Sequence, residues 1–89
     1  MRIPVNNKLL PGITVERIPH AYYEVGERAR KQVFDVDGAL IGAISYVGIR
    51  HDDGVHYGWR IAGSRHKPDT QIEAIKRLIR LHPHAKRGR

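Results

Sequence analysis

The chain has no cysteine. Disulfides and cysteine-based zinc sites are therefore excluded, and a reducing compartment, the cytoplasm, is the expected setting. No apolar run approaches the length of a membrane span, so no membrane partner is expected. In "MRIPVNNKLLPGITV", Pro4 and Pro11 interrupt the apolar residues, where a signal peptide needs an unbroken stretch. Glycine-rich phosphate-binding loops are missing too: "GALIGAISYVG" has the residues of a strand. No Ser sits in a G-x-S-x-G context, and there is no H-E-x-x-H.

What is present is positive charge. The 89 residues carry 16 Lys and Arg against 9 Asp and Glu, a formal net of +7. The excess is uneven. Residues 1–49 hold six basic and five acidic residues; residues 50–89 hold ten basic and four acidic. A field of this sign favours polyanions, nucleic acid first, and places the binding surface in the C-terminal half. At 40% apolar and 28% charged, the composition is that of a folded chain. At this length a single domain buries only about 60–65% of the surface its unfolded form exposes. One modest core is expected, with no deep catalytic cavity.

The pattern predicts an N-terminal arm over residues 1–12, a single α+β domain over 13–83 and a basic tail over 84–89. "ITVERI" (13–18) alternates as a short strand. "HAYYEVGERARK" (20–31) is ambiguous, with strand formers first and helix formers from Glu27; an extended start followed by a helical turn is expected. "QVFDVDGALIGAISYVGI" reads as two strands around Asp37–Gly38, a dipeptide suited to a two-residue turn. That turn pairs Phe34 with Ile41 and Val36 with Ala39. It puts Phe34, Val36, Ile41, Ala43, Val47 and Ile49 on one face, and Leu40, Ile44 and Tyr46 on the other. "HDDG" then turns the chain into "VHYGWRIAG". There Val55, Tyr57, Trp59 and Ile61 share one face, and His56, Gly58, Arg60 and Ala62 the other.

The clearest element is the last. Thr70 and Glu73 fit a capping box, Ile72, Ile75, Leu78 and Ile79 recur at helical spacing with Leu81 beside them, and Pro83 ends the helix. An antiparallel sheet of three or four strands, with this C-terminal amphipathic helix packed on Trp59, Ile61 and Phe34, is the expected architecture. Gly42 and Gly58 would then leave room for a partner's backbone.

Catalytic constellations are thin. His51, Asp52, Asp53 and His56 crowd a turn, but without metal-ligand spacing, and Asp35 and Asp37 share a strand face beside no nucleophile. No enzyme activity, metal or cofactor is expected. The enzyme alternative is a nuclease with His51 or His56 as base. Arg50, His56, Arg60, Arg65, Lys67, Lys76, Arg77, Arg80, Lys86 and Arg87, with Arg89, are the candidate nucleic-acid contacts, mainly to phosphate.

The order "VFDVDGALIGAI", "YGWRIAG", "TQIEAIKRLIRL" resembles the small domain shared by AP2-type DNA-binding domains and the N-terminal arm-binding domains of integrases. The resemblance covers residues 32–82. It implies a three-stranded sheet entering the major groove with a helix behind it, and Arg60, His56 and Arg50 facing DNA. That family's strands are more densely basic than Gln32, Leu40, Ile44 and Tyr46 here. The double-stranded-RNA-binding fold also ends in sheet then helix, and Arg65, His66 and Lys67 stand where it keeps a basic cluster. In style the chain is also similar to small phage accessory proteins. DNA, or RNA, is thus the expected partner. The alternative is a protein-interaction module, a homodimer or an inhibitor of a host protein, with Tyr46, Val47 and Ile49 as an exposed patch.

Overall fold

In the computed structural model, which describes residues 1–65 and 67–84, the alternating stretches of the chain form one sheet. Its strands are β1 (Ile3–Pro4), β2 (Thr14–Arg17), β3 (Glu27–Phe34), β4 (Leu40–His51) and β5 (Gly54–Ile61), followed by α1 (Gln71–Leu81). They lie in the order β1-β2-β3-β4-β5, every neighbour antiparallel. The α+β plan with a C-terminal helix holds, with five strands in place of three or four. The first residues account for part of the increase. β1 pairs Ile3 with Val15, Val5 N–H donates to the Ile13 carbonyl at 2.9 Å, and Leu10 is in the core.

Residues 20–31 take the reverse of the expected order. A single 3₁₀ turn, His20–Tyr22, follows Pro19, and the strand starts at Glu27. The helix-forming residues Glu27–Lys31 are held extended because β3 pairs with β2 on one side and β4 on the other. Ladder pairing on two edges outweighs a few tenths of a kcal/mol per residue of helix propensity.

The β3–β4 connection also departs from the two-residue turn. Asp35 N–H donates to the Ala39 carbonyl, and Asp35 Oδ1 accepts from the backbone N–H of Asp37 and Ala39, each at 2.9 Å. Gly38 takes the left-handed conformation, φ +84°, that closes this longer loop. Asp35 and Asp37 are therefore turn residues rather than a carboxylate pair on a strand. Phe34 pairs with Leu40 and Val33 with Gly42, leaving Ile41 as a bulge. This moves Phe34 off the helix side: its ring lies under the Arg2 guanidinium, 3.7 Å from the centroid. Val36 and Leu40 are exposed.

β5 is as the alternation predicts. Trp59 and Ile61 enter a core with Ile13, Val15, Val33, Ile44, Ile75 and Leu78. Val55 and Tyr57 share that face but extend past the helix and are exposed. Val47 is buried and Tyr46 packs on Trp59 and Tyr57, so the exposed patch of Tyr46, Val47 and Ile49 is not formed.

The helix begins where Thr70 Oγ1 accepts from Glu73 N–H at 3.2 Å. The Glu73 carboxylate turns to Lys76 instead of completing the box. Ala74, Ile75, Leu78 and Ile79 are buried, while Leu81 is exposed. Both glycines expected to admit a partner are used internally. A Cβ on Gly42 would lie 3.0 Å from Leu78 Cδ1, and one on Gly58 would lie 3.1 Å from Lys67 Cβ. The first lets the helix settle on the sheet. The second lets the loop before the helix run along β5, where Trp59 N–H donates to the Pro68 carbonyl at 2.9 Å.

Ile75 is fully buried at the centre of the helix–sheet contact. Ile75→Ala is expected to cost about 2–5 kcal/mol, the range for emptying a core aliphatic site. Urea unfolding should show a lower midpoint at unchanged slope; a loss under about 1 kcal/mol would contradict this packing.

Candidate functional site

The sheet face away from the helix carries a polar row set by register. Arg30 on β3 pairs with Ser45 on β4, which pairs with Arg60 on β5. At one end of the row lies Glu27, opposite Val47, its side chain only 1% exposed. Arg30 Nε donates to Glu27 Oε2 at 2.8 Å and Arg30 Nη2 donates to Oε1. Arg60 Nη2 stands 3.7 Å from Glu27 Oε1 and 3.7 Å from Glu24 Oε2. The Arg30 hydrogen bond holds the Glu27 carboxyl below its ordinary pKa, against the opposing effect of burial, and the same bond raises Arg30. Nearby, the Arg17 guanidinium lowers the Tyr23 hydroxyl.

Beside this row is a groove of about 500 Å³. Arg30, Arg60 and Lys67 reach it with Ser45 and Ser64, and Ala43 keeps its floor low. The Glu27 carboxylate fixes the position of both guanidinium groups; of the three cations at the groove, Lys67 makes no ion pair among the described residues.

The predicted contacts are thus distributed over several surfaces. Arg60 and Lys67 come together at the groove. Arg50 pairs with Val55, which places it on the helix side of the sheet, not beside Arg60 and His56 on the outer face. His56 lies at the β4–β5 hairpin tip, its Nε2 2.9 Å from Asp53 Oδ1 and its ring edge-on to His51 at 4.8 Å. Among the described residues no group of three or more His, Asp or Glu is placed to hold a metal ion.

Lys76 and Arg80 flank a depression between α1 and Leu9–Leu10, with Lys76 3.4 Å from Glu73. Arg77 borders the loop at Pro68–Thr70. Arg65 is exposed in the loop before the helix. His66, Lys86, Arg87 and Arg89 lie outside the described residues.

Glu27, Arg30 and Ser45 were not among the sequence candidates. Helix-favouring residues hid the strand "ERARKQVF", and only the register shift between Glu27 and Ala29 brings Glu27 to the face of Arg30 and Ser45, which no period-two reading would find.

The chain shares with the AP2-type and integrase arm-binding domains the coarse plan of a small antiparallel sheet and one C-terminal helix. No protein-family model, no curated protein and no solved structure matches it. No helix among the described residues is long and apolar enough to cross a membrane.

The lowered Glu27 pKa has a defined sign in stability. Its ordinary value is 4.5. The carboxylate stabilises the fold fully above that value, and the contribution is lost as pH falls through the lower folded-state pKa. Thermal melts between about pH 7 and pH 3 should therefore show a steeper acid-side fall for the natural chain than for Glu27→Gln. Parallel curves would show that the carboxylate is not selectively stabilised in its charged form.

Proposed function

We propose that this protein binds nucleic acid, DNA ahead of RNA, through phosphate contacts from its C-terminal half. The docking surface is helix α1 with the basic loop before it, not the outer face of the sheet. One observation carries the reading. Among the described residues, Arg65, Lys67, Arg77 and Arg80 make no ion pair, whereas Arg60 is drawn to Glu24 and Glu27. Uncompensated cations release condensed counterions from a phosphate backbone; a cation already facing carboxylates gains less.

Three further points favour the helix. Lys76 and Arg80 are one turn apart and Arg77 is next to Lys76, so their charges span the exposed side of α1. The chain continues from this end into the basic sequence Lys86, Arg87 and Arg89. The outer sheet face has Glu27 buried at one end and the Lys67–Pro68 segment against Gly58, so a duplex would find less open cationic strand surface there. The absence of cysteine suits work in the reducing cytoplasm.

Titration with duplex DNA at several salt concentrations tests this. Affinity should fall as salt rises, and Lys76→Ala/Arg77→Ala/Arg80→Ala should reduce the log–log slope by about 2–3 units. Arg60→Ala should change it by less than about one unit. No binding at low salt would overturn the reading, and a loss in Arg60→Ala equal to the triple variant's would move the surface to the sheet.

A further inference from the structure

We infer that the outer groove is a separate binding site for a small phosphate monoester. The site is built rather than incidental. Its cations come from three different places in the chain: Arg30 from β3, Arg60 from β5 and Lys67 from the loop before α1. Two are positioned by a shared carboxylate and the third by a close backbone approach. Glu27 takes two hydrogen bonds from Arg30. The same carboxylate, with Glu24, holds Arg60 on the groove side of β5. Lys67 is brought in because Gly58 has no side chain, a Cβ there lying only 3.1 Å from Lys67 Cβ, and because Pro68 is hydrogen-bonded to Trp59.

Among the described residues no acidic side chain lines the groove. Its donors among the described residues include two guanidinium groups, one ammonium and the hydroxyl of Ser45, around a floor that includes Ala43. A phosphate monoester presents three terminal oxygens, each able to accept more than one hydrogen bond, and a charge near −2 at neutral pH. A carboxylate presents two oxygens and one charge and would leave part of this donor set unused. Ile18, Ala43 and Ala62 give the ester's organic body an apolar wall. A volume of about 500 Å³ suits one small molecule and not a duplex. The site therefore differs in ligand from the helix surface proposed for DNA and shares with it only Lys67 and the loop that carries it.

The test is an NMR titration of the full chain with phenyl phosphate, followed at backbone amides, with benzoate as the comparison. Saturable shifts are expected at Ser45, Arg60 and Lys67, with benzoate at least about tenfold weaker. Lys67→Ala and Arg60→Ala should each raise the dissociation constant about tenfold or more. Gly58→Val should do the same while keeping every cation, because it displaces Lys67; its amide spectrum and melting curve report whether the fold survives. Lys67→Ala removes an exposed loop side chain and tests the site even if Gly58→Val unfolds. Lys76→Ala/Arg77→Ala/Arg80→Ala should bind phenyl phosphate as the natural chain does, whatever its affinity for DNA. Shifts centred on Arg77 and Arg80, no saturation, equal binding of benzoate, or unchanged affinity in Lys67→Ala would each overturn the inference.

Discussion

One helix of eleven residues covers the inner face of a five-stranded sheet, and the rest of the structure depends on how it is seated. At about 1.5 Å per residue, α1 is about 16 Å long, shorter than the sheet it must protect. Leu78 can approach the sheet because Gly42 has no side chain, and Ile75 fills the space beside Ile44 and Ile61 in the same core. Part of what α1 leaves uncovered is closed by the N-terminal segment, with Leu10, Ile13 and Val5 packed on that core. Once α1 is fixed, its outward circumference is fixed as well, and Lys76, Arg77 and Arg80 are on it.

The opposite face is organised by a different force. Burying a carboxylate is costly unless charge-assisted hydrogen bonds satisfy it. Glu27 meets that condition through Arg30, with Arg60 nearby, and in doing so determines where two of the protein's basic side chains point. The charge excess of the chain thus separates into two populations. Some cations are held by carboxylates and shape a concave polar surface. Others, Arg65, Arg77 and Arg80 among the described residues, make no ion pair on the helix and the loop before it. A bulk figure of +7 does not distinguish these populations, and the two proposed ligands, a small anion and an extended polyanion, rest on that distinction.

The β3–β4 hairpin shows how a local change alters what a face presents. Asp37–Gly38 turns the chain, as expected, but Asp35 caps two backbone N–H groups and lengthens the loop. The bulge at Ile41 then lets both Ile41 and Ile44 reach the core, while Phe34 is placed under Arg2 on the other side. Strand side chains alternate with a period of two, so a one-residue shift in pairing sends a residue to the opposite face. β5 has no such irregularity, and its alternation from Val55 to Ile61 could be read directly.

The sequence by itself determined the α+β class, the extent and cap of α1, the strands β4 and β5, the "HDDG" turn and the concentration of basic residues after residue 49. These follow from short-range rules: helical spacing, period-two alternation, capping and turn chemistry act between residues close in the chain. Tertiary structure alone decided the strand nature of Glu27–Lys31, the five-stranded count, the hairpin register and the grouping of cations. Each requires partners distant in sequence: β2 and β4 hold β3 extended, Glu27 gathers Arg60, and Gly58 makes room for Lys67. Arg60 illustrates the division. Its outward direction followed from alternation, but the carboxylates it faces came only from the fold.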